Sequence, residues 1–177
     1  MIRDSTPLDF ESVLRLNEEW EHVTSPLDLR SLADLHDLAA YHRLIEQDGR
    51  VVAFLLAIGP GTDYGSQNYR WFDRSTPDFL YIDRVIVARE SQGAGLGAAL
   101  YDDVLLFACE HDYRRLVCEV DIEPFNAASD AFHTRRGFAE VGTQRIGEYA
   151  KLVSLRQLVL DASVIARGAR VPARAGR

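Results

Sequence analysis

The sequence predicts one mixed α/β (α+β) domain, a sheet with helices on both faces. Three observations lead there. Asp48-Gly49 separates two strand-like runs, "YHRLIEQ" and "VVAFLLAIG", and is the turn pair that a tight antiparallel hairpin favours. The segment "FLYIDRVIVARESQGAGLGAALYDDVL" passes from β-branched and aromatic residues through a glycine loop into a helical pattern. Strand and helix signals also alternate along the chain instead of segregating into halves.

Taken in order, "MIRDST" reads as a short first strand, with Thr6 or Asp9 placed to cap a helix running to Glu19. Phe10, Val13, Leu14 and Leu16 follow the helical repeat. A second helix begins near Asp28, with Leu32, Leu35, Leu38 and Ala39 on one stripe. The hairpin follows, and then a long loop over 60–78 containing "YGSQNYRWF", a length that points to function. "FLYIDRVIVA" is the next strand. Gly95 to about Glu110 is an amphipathic helix, turning Leu96, Leu100, Val104, Phe107 and Ala108 inward. "RLVCEVD" is a strand, Asn126–Arg136 a short helix closed by Gly137, and "FAEVGTQ" and "YAKLVSLRQL" a final strand pair. The expected order is β-α-α-β-β-β-α-β-α-β-β.

The chain is 177 residues long and 47% apolar, enough for a single domain with its own core. No apolar run approaches the roughly 20 residues that cross a bilayer, and "MIRDSTPLDF" lacks a secretory pattern, so a cytoplasmic protein without a membrane partner is expected. Cys109 and Cys118 have no metal-ligand spacing and read as reduced core cysteines; no metal is expected. Net charge is −7, but residues 157–177 set four arginines against Asp161, leaving −10 on residues 1–156. An acidic body argues against nucleic acid as a partner. The domain is assigned to 1–156, and the small, basic 157–177 to a flexible tail.

The loop "RESQGAGLGAAL" admits two phosphates. Gly93, Gly95 and Ala98 fit the G-x-G-x-x-A fingerprint of a dinucleotide site, with Glu119 or Asp121 near the place of a ribose-binding acid. Against this, "ARESQ" separates the strand from the first glycine, and about half the chain lies upstream. Gln92, Gly95 and Gly97 instead fit the Q/R-x-x-G-x-G/A loop of acyl-CoA enzymes. The strand-loop-helix unit resembles the central motif of the GNAT superfamily of N-acetyltransferases. "NAASDAFHTRRGF" resembles its second motif, N-x-x-A-x-x-x-Y-x-x-x-G-F, through Asn126, Gly137 and Phe138.

That resemblance implies a mixed, mostly antiparallel sheet and transfer of an acyl group from acetyl-CoA to an amine acceptor, small molecule or peptide, in a ternary complex. Backbone N–H groups across Gln92, Gly93, Ala94, Gly95, Leu96, Gly97 and Ala98 would hold the diphosphate at a helix start. Val85, Ile86 and Val87 would run beside the pantetheine arm, with Asn126 and Ser129 on its far side; Asn126 equally suits a helix cap. Gln92 stands where arginine often begins the loop. Asp83, matching an acid of some polyamine acetyltransferases, is the first candidate base, and Glu119 on the adjacent strand the second. His133 occupies the usual tyrosine position and is the candidate acid for the thiolate. Glu18, Glu19, Trp20, Tyr69, Trp71 and Phe72 are candidates for acceptor binding, the two tryptophans alternatively packing loops on the core. A homodimer is common in the family. A non-catalytic acyl-CoA sensor of the same fold is the rival reading.

Overall fold

The computed structural model describes residues 1–147, 151–161 and 164. Its strands are β1 (Ile2–Asp4), β2 (Ala39–Gln47), β3 (Arg50–Ile58), β4 (Phe79–Val87), β5 (Arg115–Glu123), β6 (Ala139–Ile146) and β7 (Lys151–Val159). The helices are α1 (Phe10–Glu18), α2 (Leu29–Leu38), α3 (Gln67–Ser75), α4 (Leu96–Glu110) and α5 (Ala127–Arg135). Among the described residues the strands form one sheet in the order β1-β2-β3-β4-β5-β7-β6. Every pairing is antiparallel except β4 with β5. The mixed, mostly antiparallel sheet with helices on both faces is therefore present.

Two corrections concern the elements. The segment 60–78 is not all loop, because Gln67–Ser75 is helical. Ser66 caps it by accepting from the Tyr69 N–H, and Tyr69 and Phe72 fall one turn apart on its inner face. Its polar and aromatic composition, preceded by Gly65 and followed by Pro77, hides the helical signal. Secondly, Gln157, Leu158 and Val159, assigned to the tail, complete β7. Most of the rest of that tail lies outside the described residues.

Alternation along β4 divides the core. Phe79 and Tyr81, with Val117 of β5, pack against Tyr69 and Phe72 of α3. Leu80, Ile82 and Ile86, with Leu116 and Cys118, join Leu100, Val104 and Ala108 of α4. The feature that positions a site is the parallel junction. β4 and β5 pair only through Phe79–Tyr81 against Arg115–Val117. One residue further on, the β3–β4 register jumps from Ala57↔Ile82 to Leu56↔Arg84, leaving Asp83 as a bulge. A bulge bends its strand and increases local twist. From there β4 and β5 run unpaired, and the sheet opens.

Candidate active site

At the open end, the chain leaves β4, makes one 3-10 turn over Arg89–Ser91 and enters α4 through Gln92–Gly95. Gly93 and Gly95 have φ of +76° and +80°, where an L side chain costs roughly 1–2 kcal/mol. A Cβ at either would meet nothing within 4 Å. Conformation, not crowding within the protein, therefore requires glycine here. No side chain caps α4, so its first-turn N–H groups and the positive end of its dipole are left for solvent or an anion. Gly93, Ala94 and Gly95 are exposed, Leu96 and Ala98 half-buried, and Gln92 and Gly97 line the adjoining cleft.

Trp20 sits beside this loop. Its Nε1 donates to the Val87 carbonyl at 3.0 Å, and the Arg89 guanidinium lies 5.0 Å from its ring centre. The Glu19 carboxylate accepts from the Arg89 N–H at 3.1 Å. Glu19 and Trp20 thus brace the loop entrance, and Glu18 points away, exposed.

The cleft between the diverging strands has a volume of about 580 Å³. Val85, Ile86 and Val87 form one wall, while Asn126, Ser129 and His133 lie across from them. Asn126 does act as a cap, accepting from the Ser129 N–H at 3.1 Å. His133 is 5% exposed and its tautomer follows from its partners. Nδ1 lies 2.8 Å from the Ser129 carbonyl, which only accepts, so Nδ1 carries the proton. Nε2 then accepts from the Tyr101 hydroxyl at 2.7 Å. Burial lowers the His133 pKa and so favours the neutral imidazole over the cationic acid expected.

Both candidate carboxylates line the cleft, in unlike surroundings. Asp83 is ion-paired with Arg84 at 2.8 Å and accepts from the Tyr64 hydroxyl. Arg84 is itself tied to Asn17 at 2.8 Å. Glu119 has no ion-pair partner among the described contacts. It accepts from the Tyr81 hydroxyl at 2.8 Å, and Asn68 lines the same cleft. Burial pushes its pKa up to about 7, the Tyr81 hydrogen bond opposes the rise, and the nearby Asp83 adds to it. The Tyr81 phenol is raised well above its usual value, chiefly by burial, so it serves as a donor.

The acceptor residues need correction. Tyr69 and Phe72 are fully buried in the core beneath α3 and cannot touch a ligand. Trp71 packs over Gly142 of β6, where a Cβ would come within 3.0 Å of the indole. The end of the cleft away from the glycine loop is lined by Tyr64, Ser66, Asn68, Ile146 and Lys151, the last ion-paired with Asp121 at 2.6 Å. Tyr64, Asn68, Tyr81 and Tyr101 escaped the sequence reading because only the sheet register brings them to this cleft. Cys118 also lines it, but burial raises its thiol well above the ordinary range, which disfavours a nucleophilic thiolate. Among the described residues, no group of three or more His, Cys, Asp or Glu side chains is arranged to hold a metal. No described helix is long and apolar enough to cross a membrane.

The model of the acetyltransferase (GNAT) family matches residues 7–138. Ribosomal-protein-alanine N-acetyltransferase from Brucella melitensis superposes with a TM-score of 0.70 at 22% identity, covering 90% of this chain and 99% of that one. Ard1 from Thermoplasma volcanium gives 0.73 at 20% identity, over 91% and 97%. YncA from Salmonella typhimurium, solved with its cofactor acetyl-CoA, gives 0.69 at 19%, over 91% and 94%. At these identities the likeness is one of fold. No curated protein sequence matches the chain.

Proposed function

The chain belongs to the acetyltransferase (GNAT) family, and we propose that it transfers an acetyl group from acetyl-CoA to a primary amine by direct attack in a ternary complex. The observation that carries this reading is a half-buried carboxyl, Glu119, held near neutrality inside a cleft that ends at an uncapped glycine loop. The residues fit the co-substrate. Left-handed glycines with open Cβ directions allow close approach to the Gln92–Ala98 backbone, and the unpaired edge of β4 at Val85–Val87 offers strand-like hydrogen bonds to an amide-bearing arm. Asn126 and Ser129 face that edge across the cleft. When bound, acetyl-CoA supplies the activated acyl group.

The rest is the work of the chain. Glu119 takes the proton from the acceptor ammonium, because its pKa sits at the operating pH and it lacks the ion pair that ties up Asp83. A backbone N–H near Val85 donates to the oxygen on which charge develops. The Tyr101–His133 pair holds the proton for the departing thiolate. A base near 7 matches an α-amine of about 7.7–8.0 far better than a lysine-like amine of about 10.4, so a peptide or amino-terminal acceptor is favoured.

Calorimetry with acetyl-CoA, followed by thiol release over polyamines, amino acids, aminoglycosides and peptide N-termini, tests the proposal. Binding with turnover on the α-amine class is expected. Binding without turnover on any class favours the acyl-CoA sensor, and absence of binding removes both readings.

A further inference from the structure

Arg84 follows Asp83 at the bulge in β4. Adjacent strand residues ordinarily point to opposite faces, and the bulge breaks that alternation, so Asp83 and Arg84 pair with each other. Both side chains are more than nine-tenths buried, at 5% and 9% exposure. A buried ion pair is weak evidence for a stabilising role, because apolar residues of similar volume often serve as well. Its place points to another use, since both residues line the cleft. Arg84 stands opposite Leu56 on β3, on the face that carries Tyr81 and α3. On that same face Tyr81 donates to Glu119. Arg84 and Glu119 thus reach the cleft from β4 and β5, beyond the point where those strands pair.

A guanidinium carries five N–H groups in a rigid fork. Arg84 Nε donates to Asp83 Oδ2 at 2.8 Å, and Nη1 donates to Asn17 Oδ1 at 2.8 Å and to the Ser25 carbonyl at 3.4 Å. Asn17 is itself buried and fixed, its Nδ2 donating to the Ser25 carbonyl at 3.1 Å. Tyr64 occupies the other oxygen of Asp83. The fork is therefore held from α1, β4 and the loop after α1. Its Nη2 has no partner among the described residues. Nor is it enclosed, because the enclosed side-chain atoms without a partner are Ser5 Oγ and His42 Nε2. A nearly buried, rigidly held cation thus keeps one N–H₂ group open at the cleft.

We propose that Arg84 is a specificity-determining residue whose Nη2 donates to the carbonyl oxygen next to the attacking amine of the acceptor. The inference rests on the reading of the protein as an acetyltransferase with Glu119 as its base. With the amine at Glu119, an α-amino carbonyl compound carries its oxygen only two carbons from that nitrogen. Peptide N-termini and amino-acid amides have this oxygen, and simple alkylamines and polyamines do not. Asp83 already neutralises the guanidinium, so the open N–H₂ suits a neutral carbonyl better than a free carboxylate.

Steady-state thiol release with alanyl-alanine amide and with isopropylamine, which lacks the carbonyl, tests the assignment. The wild type prefers the dipeptide amide. R84K keeps a cation beside Asp83 and removes the fork. It raises KM for the dipeptide amide about 10- to 100-fold, while kcat and the calorimetric Kd of acetyl-CoA stay within a few-fold of wild type. Turnover of isopropylamine is unchanged. D83N/R84M, which leaves no unpaired buried charge, gives the same result and serves if R84K does not fold, as judged by circular dichroism. An unchanged KM for the dipeptide amide overturns the proposal. An equal loss on both amines also overturns it and assigns Arg84 to holding the loop after α1. A wild type that binds acetyl-CoA but shows no preference for the dipeptide amide, or turns over neither amine, overturns it as well and leaves acyl transfer to another acceptor standing. Failure to bind acetyl-CoA removes the acetyltransferase reading itself.

Discussion

The two ends of the cleft are built on opposite plans. The proposed coenzyme end is local and backbone-made: residues 85–98 supply a strand edge, two left-handed glycines and an uncapped helix start, with Gln92–Gly95 exposed. The proposed acceptor end is made of side chains from β4, β5, α3, β6 and the loop before α3, around one half-buried carboxyl. A diphosphate already carries its charge, so its site needs only oriented N–H groups in contact with solvent. A base must be tuned, and tuning takes partial removal from water together with a chosen set of donors. The first site tolerates exposure, and the second depends on its absence.

Removing the tuned group has the largest expected effect. E119Q lowers turnover by roughly 10²- to 10⁴-fold, with acetyl-CoA affinity unchanged by calorimetry. Stability moves the other way. A carboxyl whose folded pKa is raised contributes stability at pH below its unfolded value, and loses it as pH rises through about 7. Between about pH 4 and about pH 8, E119Q therefore gains on wild type by about 3 kcal/mol in denaturant melts. A variant inactive yet relatively more stable in alkali marks a base site. Equal loss of stability at both pH values would make Glu119 a structural residue.

The counterpart at the other end is Gly95→Val. A β-branched side chain at φ +80° costs roughly 1–2 kcal/mol or more in backbone strain. Acetyl-CoA affinity falls roughly 10- to 100-fold, while turnover at saturating acetyl-CoA stays within a few-fold of wild type. Should G95V change turnover and leave affinity intact, the division of labour between the ends is wrong. Tyr81→Phe is a finer probe of the acceptor end. Loss of its 2.8 Å hydrogen bond to Glu119 raises the midpoint of the pH–rate profile by about one unit. The plateau at high pH is retained.

The same division explains what the sequence revealed. The glycine loop, the strand before it and the α5 cap at Asn126 are short-range features, and each reads directly from consecutive residues. Tyr81 could be recognised as a strand residue, but not as a donor to Glu119, because the parallel register of Tyr81 with Val117 spans a whole βαβ crossover. Asn68 was hidden twice: its helix is short and weakly patterned, and its partner Gln144 lies on β6. Tyr69 and Phe72 misled for a related reason. Aromatic residues in an apparent loop suggest a binding surface, whereas one cap at Ser66 turns them inward as core. His133 was visible by its motif position, but its protonation was not, since Tyr101 and the Ser129 carbonyl set it.

Trp20 tests where the boundary between the two ends falls, and its effect is the smallest. By sequence it was a candidate for acceptor binding, alternatively packing a loop on the core. The structure ties its Nε1 to the Val87 carbonyl, at the last residue of β4 before the turn that leads into the loop, and places Arg89 over its ring. Trp20→Phe keeps the ring face and removes one hydrogen bond. It should cost about 1 kcal/mol in a denaturant melt and weaken acetyl-CoA binding no more than a few-fold. The pH–rate midpoint and the ranking of acceptors should not move, because Trp20 is not among the groups that set the Glu119 pKa. A changed acceptor ranking with unchanged coenzyme affinity would return Trp20 to the acceptor wall. The boundary would then lie on the far side of Val87, with the turn after α1 serving both ends.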